Sequence, residues 1–129
     1  MDTIGDFLTI LRNASSAKKW TCHVPASRLR EGILNILKSE GYIADFKAEE
    51  DDRHHRYFVV FLKYVQGSAA IVGLQRCSKP GCRLYYAKAK IPKVLGGLGT
   101  VILTTSRGIL KGADAAKQNI GGELLCKVW

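Results

Sequence analysis

Residues 57–65, YFVVFLKYV, constrain the fold more than any other stretch. The run is rich in β-branched and aromatic residues and nearly continuous in apolar ones, which is the pattern of a central strand. What surrounds it sets the class. Residues 3–17 place Ile4, Phe7, Leu8, Leu11 and Ala14 at helical spacing, with Asp2 or Thr3 available as N-cap. Lys18-Lys19 suits the C-terminal end of that helix electrostatically. Ser27 caps a second predicted helix over 28–40, carried by Leu29, Ile33, Ile36 and Leu37 and ended by Gly41. Trp20–Val24, stopped by Pro25, and Tyr42–Lys47 are the other predicted strands of this half. The acidic connector Glu49-Glu50-Asp51-Asp52 reads as an exposed hairpin loop, and His54-His55 beside it read as surface residues.

Gln66-Gly67-Ser68 reads as a joint between two halves, 1–66 and 67–129, and its shortness predicts that they pack together. Beyond it, Ala69–Cys77 is a predicted strand and Lys79-Pro80-Gly81 has the signature of a type II turn. Cys82–Tyr86 is expected to return as the partner strand. Glycines 96, 97 and 99 then lead into an apolar strand that ends in three hydroxyls, Thr104, Thr105 and Ser106. A turn at Arg107-Gly108 and a short helix follow, and Gly121-Gly122 launches the last strand. Alternation along that strand puts Leu124, Cys126 and Val128 on one face and Leu125, Lys127 and Trp129 on the other. The expected class is α+β: an N-terminal helix-strand-helix-strand-strand domain packed on a mostly β C-terminal domain with one short helix.

Charge divides along the same line. Of 20 basic and 11 acidic residues, residues 1–66 carry 10 and 9, a balance of +1. Residues 67–129 carry 10 and 2, a balance of +8. Such asymmetry suggests a nucleic-acid or anionic-membrane face in the second half. No run approaches the roughly 18–20 apolar residues of a membrane helix, and Met1-Asp2-Thr3 lacks the layout of a signal peptide, so the protein is expected in the cytosol. Among Cys22, Cys77, Cys82 and Cys126 only the middle pair is close in sequence. The four are expected to be reduced thiols packed as small hydrophobes, with no metal or cofactor.

Enzyme readings lack their parts. The glycines at 96–99 precede a strand, whereas a dinucleotide loop follows one. Thr104-Thr105-Ser106-Arg107-Gly108 approaches a nucleophile elbow but has Thr where that motif needs Gly. All three histidines lie in the other half. Nucleic-acid binding fits better. Lys79, Lys88, Lys90, Lys93, Arg107, Lys111 and Lys117 supply attraction to phosphate. Hydroxyls at a strand end reach ribose and base edges in the shallow RNA minor groove. Tyr85 or Tyr86 adds a stacking ring, and alternation lets at most one of them face the RNA. Glu123 can pair with a lysine, accept a base amino hydrogen or hold the hydroxyl loop. In the first half, Arg12 and Asn13 lie on the polar face of helix one. Arg28 and Arg30 sit in the first turn of helix two, where the dipole disfavours them unless they meet phosphate. A solvated face is the preferred reading of Arg12 and Asn13, and neutral surface drift explains Arg28 and Arg30 as well as phosphate does.

GLGTVILTTSRG, followed by GGELLCKVW, closely resembles the C-terminal signature of the bacterial small-subunit ribosomal protein eight family. DFLTILRNA, PASRLREGILNILKSEGYI and CSKPGCRLYY extend the resemblance over nearly the whole chain. It implies a non-enzymatic, two-domain protein that binds directly to the central domain of small-subunit ribosomal RNA, alongside neighbouring small-subunit proteins. It also implies a reading loop of Thr104, Thr105 and Ser106 supported by Gly121, Gly122 and Glu123, with Tyr85 or Tyr86 and the Lys79-Pro80-Gly81 turn along the same RNA. Members can repress translation from their own operon's message. One residue and one segment depart from the pattern. Thr104 stands where the family usually has Ser, and Lys111-Gly112-Ala113-Asp114-Ala115-Ala116 replaces a segment with two arginines and a better helix cap.

Overall fold

The computed structural model describes residues 3–87, 91 and 99–129. The chain divides into two compact units, Asp6–Val72 and Gly73–Trp129, with the residues through Gly5 grouped with the second. Helices and antiparallel strands combine as an α+β fold, and the second unit is mostly sheet with one short helix. Among the described residues no helix is long and apolar enough to cross a membrane.

The first unit takes α1 (Thr3–Ser16) from Asp6 onward and runs on through β1 (Thr21–Pro25), α2 (Arg28–Ser39), β2 (Ile43–Glu50) and β3 (Arg56–Leu62). The strands form an antiparallel sheet in the order β1-β3-β2, so the apolar run at 57–65 is central as its sequence requires. Cross-strand partners share a face, and Val24, Phe58, Val60 and Leu62 are buried along with Phe7, Leu8 and Leu11 of α1 and Ile33, Leu34 and Leu37 of α2. Ser27 caps α2 by accepting from the Arg30 N–H at 3.1 Å. Gly41, at φ +81°, closes the helix in a Schellman arrangement, with Tyr42 N–H donating to Leu37 O at 2.8 Å and Gly41 N–H to Lys38 O at 3.1 Å.

Three details of this half and of the segment that leaves it differ from the sequence expectation. β2 continues to Glu50, because Glu49 and Glu50 pair with Tyr57 and Arg56 across the sheet, and only Asp51–His55 forms the loop. There the Asp51 carboxylate accepts from the Arg53 and His55 N–H groups, each at 2.9 Å, which holds it below the usual carboxylate range, the His55 bond contributing most. The apolar run breaks at Lys63, and Tyr64–Val65 (β4) pairs instead with Ser68–Ala69 (β5). Gln66 and Gly67 both take positive φ, 52° and 81°, the conformation of a tight two-residue hairpin turn. The predicted strand 69–77 is therefore two pieces, β5 and β6 (Leu74–Arg76), with irregular chain between.

In the second unit β7 (Tyr85–Tyr86), β8 (Thr100–Thr105), β9 (Gly108–Lys111), α3 (Gly112–Lys117) and β10 (Gly122–Val128) complete the order. β10 is central: β8 lies on one edge, and β6 and β7 lie end to end on the other. β6 and β7 thus do not pair with each other as expected. The turn between them joins only Lys79 and Cys82, by reciprocal backbone bonds of 2.9 Å. Gly81 does not take a positive φ, so this turn is not type II. β9 was not anticipated. It pairs with β8 from Ile102↔Lys111 to Thr105↔Gly108.

A bulge at Leu125 breaks the alternation expected for the last strand. Leu124 opposes Leu103 and Cys126 opposes Ile102, so Leu124, Leu125 and Cys126 are buried in succession. The bulged carbonyl of Leu125 accepts from Cys77 N–H at 3.0 Å and from the Arg76 guanidinium at 2.8 Å, which satisfies the group a bulge would otherwise leave unpaired. Val101, Leu103, Ala115 and Leu124 form the buried cluster under α3, with Tyr86, Ile91, Leu110 and Trp129 packed against it.

Candidate nucleic-acid interface

The hydroxyl triplet at the end of β8 splits into three environments. Thr104 pairs with Glu123 on β10, and Glu123 pairs with Tyr85 on β7. Residues directly opposite in antiparallel strands point to the same side, so Thr104, Glu123 and Tyr85 form one row across three strands. Their neighbours Leu103, Leu124 and Tyr86 turn to the other side and join the core cluster. Tyr85 is 70% exposed, while Tyr86 is the tyrosine that enters the core.

Thr105 is committed to the turn. Its hydroxyl donates to Gly108 O at 2.9 Å and accepts from Arg107 N–H at 3.1 Å. Gly108 takes φ +102°, a left-handed residue that closes a β8–β9 hairpin around Ser106-Arg107. Ser106 is exposed at the tip, and its hydroxyl bonds to no described residue. The Arg107 guanidinium reaches Gln118 Oε1 at 3.4 Å, tying the tip to the end of α3.

Gly121 and Gly122 act through the space they leave. A Cβ on Gly121 would collide with the carbonyl of Tyr86 and come within 2.9 Å of Ala87 Cα. One on Gly122 would collide with the carbonyl of Thr104. These glycines let β7, β10 and β8 close up where the row forms. Gly112 has a comparable role on the other face, since its Cβ would collide with Val101 and press on Ile91. The residue that weakens α3 by propensity therefore lets α3 approach β8. Lys111 occupies the N-cap of α3 with no side-chain capping bond, as the missing capping residue implies.

Glu123 pairs with an arginine and a serine rather than a lysine. Its Oε2 accepts from the Ser78 hydroxyl at 2.5 Å and from Arg83 Nη1 at 3.1 Å. Ser78 is fully buried, and the same hydroxyl accepts from Leu84 N–H at 3.1 Å. The carboxylate, 13% exposed, is thus fixed within the row by a buried hydroxyl and a half-exposed cation. Neither Ser78 nor Arg83 was singled out from sequence. The available signal was their position on either side of a four-residue turn, which folds them back beside one another.

The remaining candidates are dispersed. Lys79 is exposed at the turn before β7, and Lys117 is exposed in the last turn of α3. Lys88, Lys90 and Lys93 lie outside the described residues. In the other unit, Arg12 and Asn13 are exposed on α1, and Arg28 is exposed at the start of α2. Arg30 instead donates from Nη1 to the Pro25 carbonyl at 3.2 Å, joining α2 to the end of β1. The four cysteines are free thiols. Burial pushes Cys126 up to about 12 and Cys22 up to about 11, so both are neutral in ordinary buffers.

A family model described as Ribosomal protein S8 matches residues 2–129. A protein of Opitutus terrae named small ribosomal subunit protein uS8 is 55% identical over 128 residues, covering 99% of this chain and 98% of that protein. Proteins of the same name from Thermosynechococcus vestitus and Solibacter usitatus are 48% and 46% identical, each across 99% of this chain and at least 97% of their own length.

Proposed function

This chain belongs to the ribosomal protein S8 family, and on that footing we propose that it is a structural constituent of the small ribosomal subunit in the cytoplasm. It binds directly to the central domain of small-subunit ribosomal RNA and helps fold that region during assembly. Members of the family are structural proteins, not enzymes. The observation that carries the RNA-binding reading is the row Thr104–Glu123–Tyr85 beside the exposed Ser106 tip. It combines a hydroxyl donor, a fixed carboxylate acceptor and an open aromatic ring, each one strand-width from the next. Those three groups match what RNA offers at an irregular helix: 2′-hydroxyls, base amino hydrogens and unstacked base faces. The basic side chains of residues 67–129 supply attraction without sequence information, and the row supplies register.

Equilibrium binding to a central-domain ribosomal RNA fragment, compared with an unrelated duplex of equal length, tests this. If about 5 phosphates are neutralised, a fourfold rise in salt weakens binding by roughly a few hundredfold on either RNA. Ser106→Ala is expected to weaken the cognate fragment alone and to leave the salt slope unchanged. Equal losses on both RNAs would remove the row and its tip from recognition. Co-sedimentation with its own operon's message, in place of small subunits, would point instead to a translational repressor.

A further inference from the structure

Within the unit Asp6–Val72, charge is segregated. Between Asp6 and Glu31 there is no acidic residue but there are five cations, Arg12, Lys18, Lys19, Arg28 and Arg30, whereas the acids crowd into 31–52. Trp20 stands in the acid-free run and is 78% exposed. An indole carries one of the largest hydrophobic surfaces available to a side chain, so leaving it in water forgoes a gain that a partner can recover.

The surroundings hold this ring in place without covering it. Trp20 O accepts from Leu62 N–H at 2.9 Å. Tyr64 meets the indole edge-on, with centroids 5.8 Å apart and planes at 80°, and its hydroxyl donates to Lys19 O at 2.5 Å. A single edge-on neighbour cannot cover both faces of an indole. Just before it, Lys18 closes α1 at φ +55°, with Lys19 N–H donating to Ala14 O at 3.0 Å and Lys18 N–H to Ser15 O at 3.2 Å. This is the position a helix usually gives to glycine. The tight turn sets two lysines directly before the ring, and neither is ion-paired to a described residue. Alongside runs an open cleft of about 440 Å³ between α1 and β1, with Ile10, Ala14, Ala17 and Cys22 forming an apolar side and Asn13, Lys19, Thr21 and His23 a polar one.

We infer that Lys18-Lys19-Trp20 is a second RNA contact, in which an unpaired nucleobase stacks on the indole and its flanking phosphates meet the two lysines. The inference rests on the RNA-binding reading above and extends it to the first unit. Base stacking needs an open ring face and tolerates any base, and adjacent cations track the phosphates. Charge decides for a polyanion: Lys18 and Lys19 directly precede the ring, and no acid lies between Asp6 and Glu31.

The test uses full-length protein carrying Trp129→Phe, which leaves Trp20 as the sole indole, titrated with the central-domain ribosomal RNA fragment. Saturation is expected to quench Trp20 emission strongly. Trp20→Ala is expected to weaken the fragment roughly tenfold to a hundredfold, and Trp20→Phe to restore most of the loss. Where Trp129→Phe perturbs folding, 5-fluorotryptophan labelling of the unaltered protein resolves the two indoles by ¹⁹F NMR. Normal affinity in Trp20→Ala with an unquenched ring, while Ser106→Ala still weakens binding, would overturn this inference and leave the RNA-binding reading intact. A Trp20 signal that responds only to an added small-subunit protein would make the surface a protein contact and equally overturn it. Absence of any binding to the fragment would overturn both.

Discussion

Ser78→Ala isolates the buried support of the interface. The hydroxyl removed donates 2.5 Å to a carboxylate and accepts 3.1 Å from Leu84 N–H. A hydrogen bond to a charged acceptor is worth about 1.5–3 kcal/mol net, and an orphaned buried N–H costs about 1–3 kcal/mol. Leu84 is only half-buried, so water can partly replace the lost acceptor, and Arg83 continues to neutralise Glu123. We expect a loss near ~2–3 kcal/mol, a large share of the roughly 5–15 kcal/mol that stabilises a domain. Urea unfolding in a Trp20→Phe background reads it, because Trp129 packs on the core cluster of the same unit. A double-mutant cycle with Glu123→Ala is expected to show coupling of about 1 kcal/mol or more. A loss under about 0.5 kcal/mol, the range of an ordinary surface substitution, would refute the claim that Ser78 anchors the carboxylate. A full loss without coupling would assign the effect to Leu84 alone.

Gly121→Ala forces a Cβ onto the Tyr86 backbone and is expected to destabilise by about 1–3 kcal/mol or more in urea unfolding. Gly81→Ala, which meets nothing within 4 Å, is expected to be neutral. Thr105→Val removes both turn bonds and is expected to cost about 1 kcal/mol of stability, whereas Ser106→Ala leaves stability within about 0.5 kcal/mol and weakens cognate RNA by about 1–3 kcal/mol. Reversed effects would mean that the roles of the two hydroxyls are interchanged. Cys126 ionises near 9.0 when unfolded and about 12 when folded, so the unfolded state loses its proton first and stability falls as pH rises above 9. The slope reaches at most about 1.4 kcal/mol per pH unit for this thiol, and Cys126→Ala is expected to flatten the alkaline limb of the stability profile by that amount. An identical limb in both proteins would contradict the burial effect.

Much of the fold was legible because its signals are local. The spacing of Phe7, Leu8 and Leu11, the Ser27 cap and the Gly41 stop each act within a few residues, and the apolar density of 57–62 marked the central strand. What sequence missed depends on pairing. Glu49 and Glu50 look like loop residues until β3 supplies partners, and Cys82–Tyr86 looks like a hairpin return until β10 takes that edge. The bulge at Leu125 is visible only through the register of β8. At the interface, the triplet, the glycines and the rule that only one of two tyrosines can face outward were readable, but not which tyrosine it is. Long-range geometry decided their roles: Thr105 turned inward to the hairpin, Gly121 and Gly122 became spacers, and Ser78 and Arg83 appeared as the supports of Glu123.

Footprinting of full-length small-subunit ribosomal RNA with the purified protein alone tests the central claim most directly. The account predicts one discrete protected stretch in the central domain at physiological salt, lost or thinned when Tyr85→Ala and Ser106→Ala are combined. Protection scattered along the RNA, or a footprint indifferent to that pair, would contradict it.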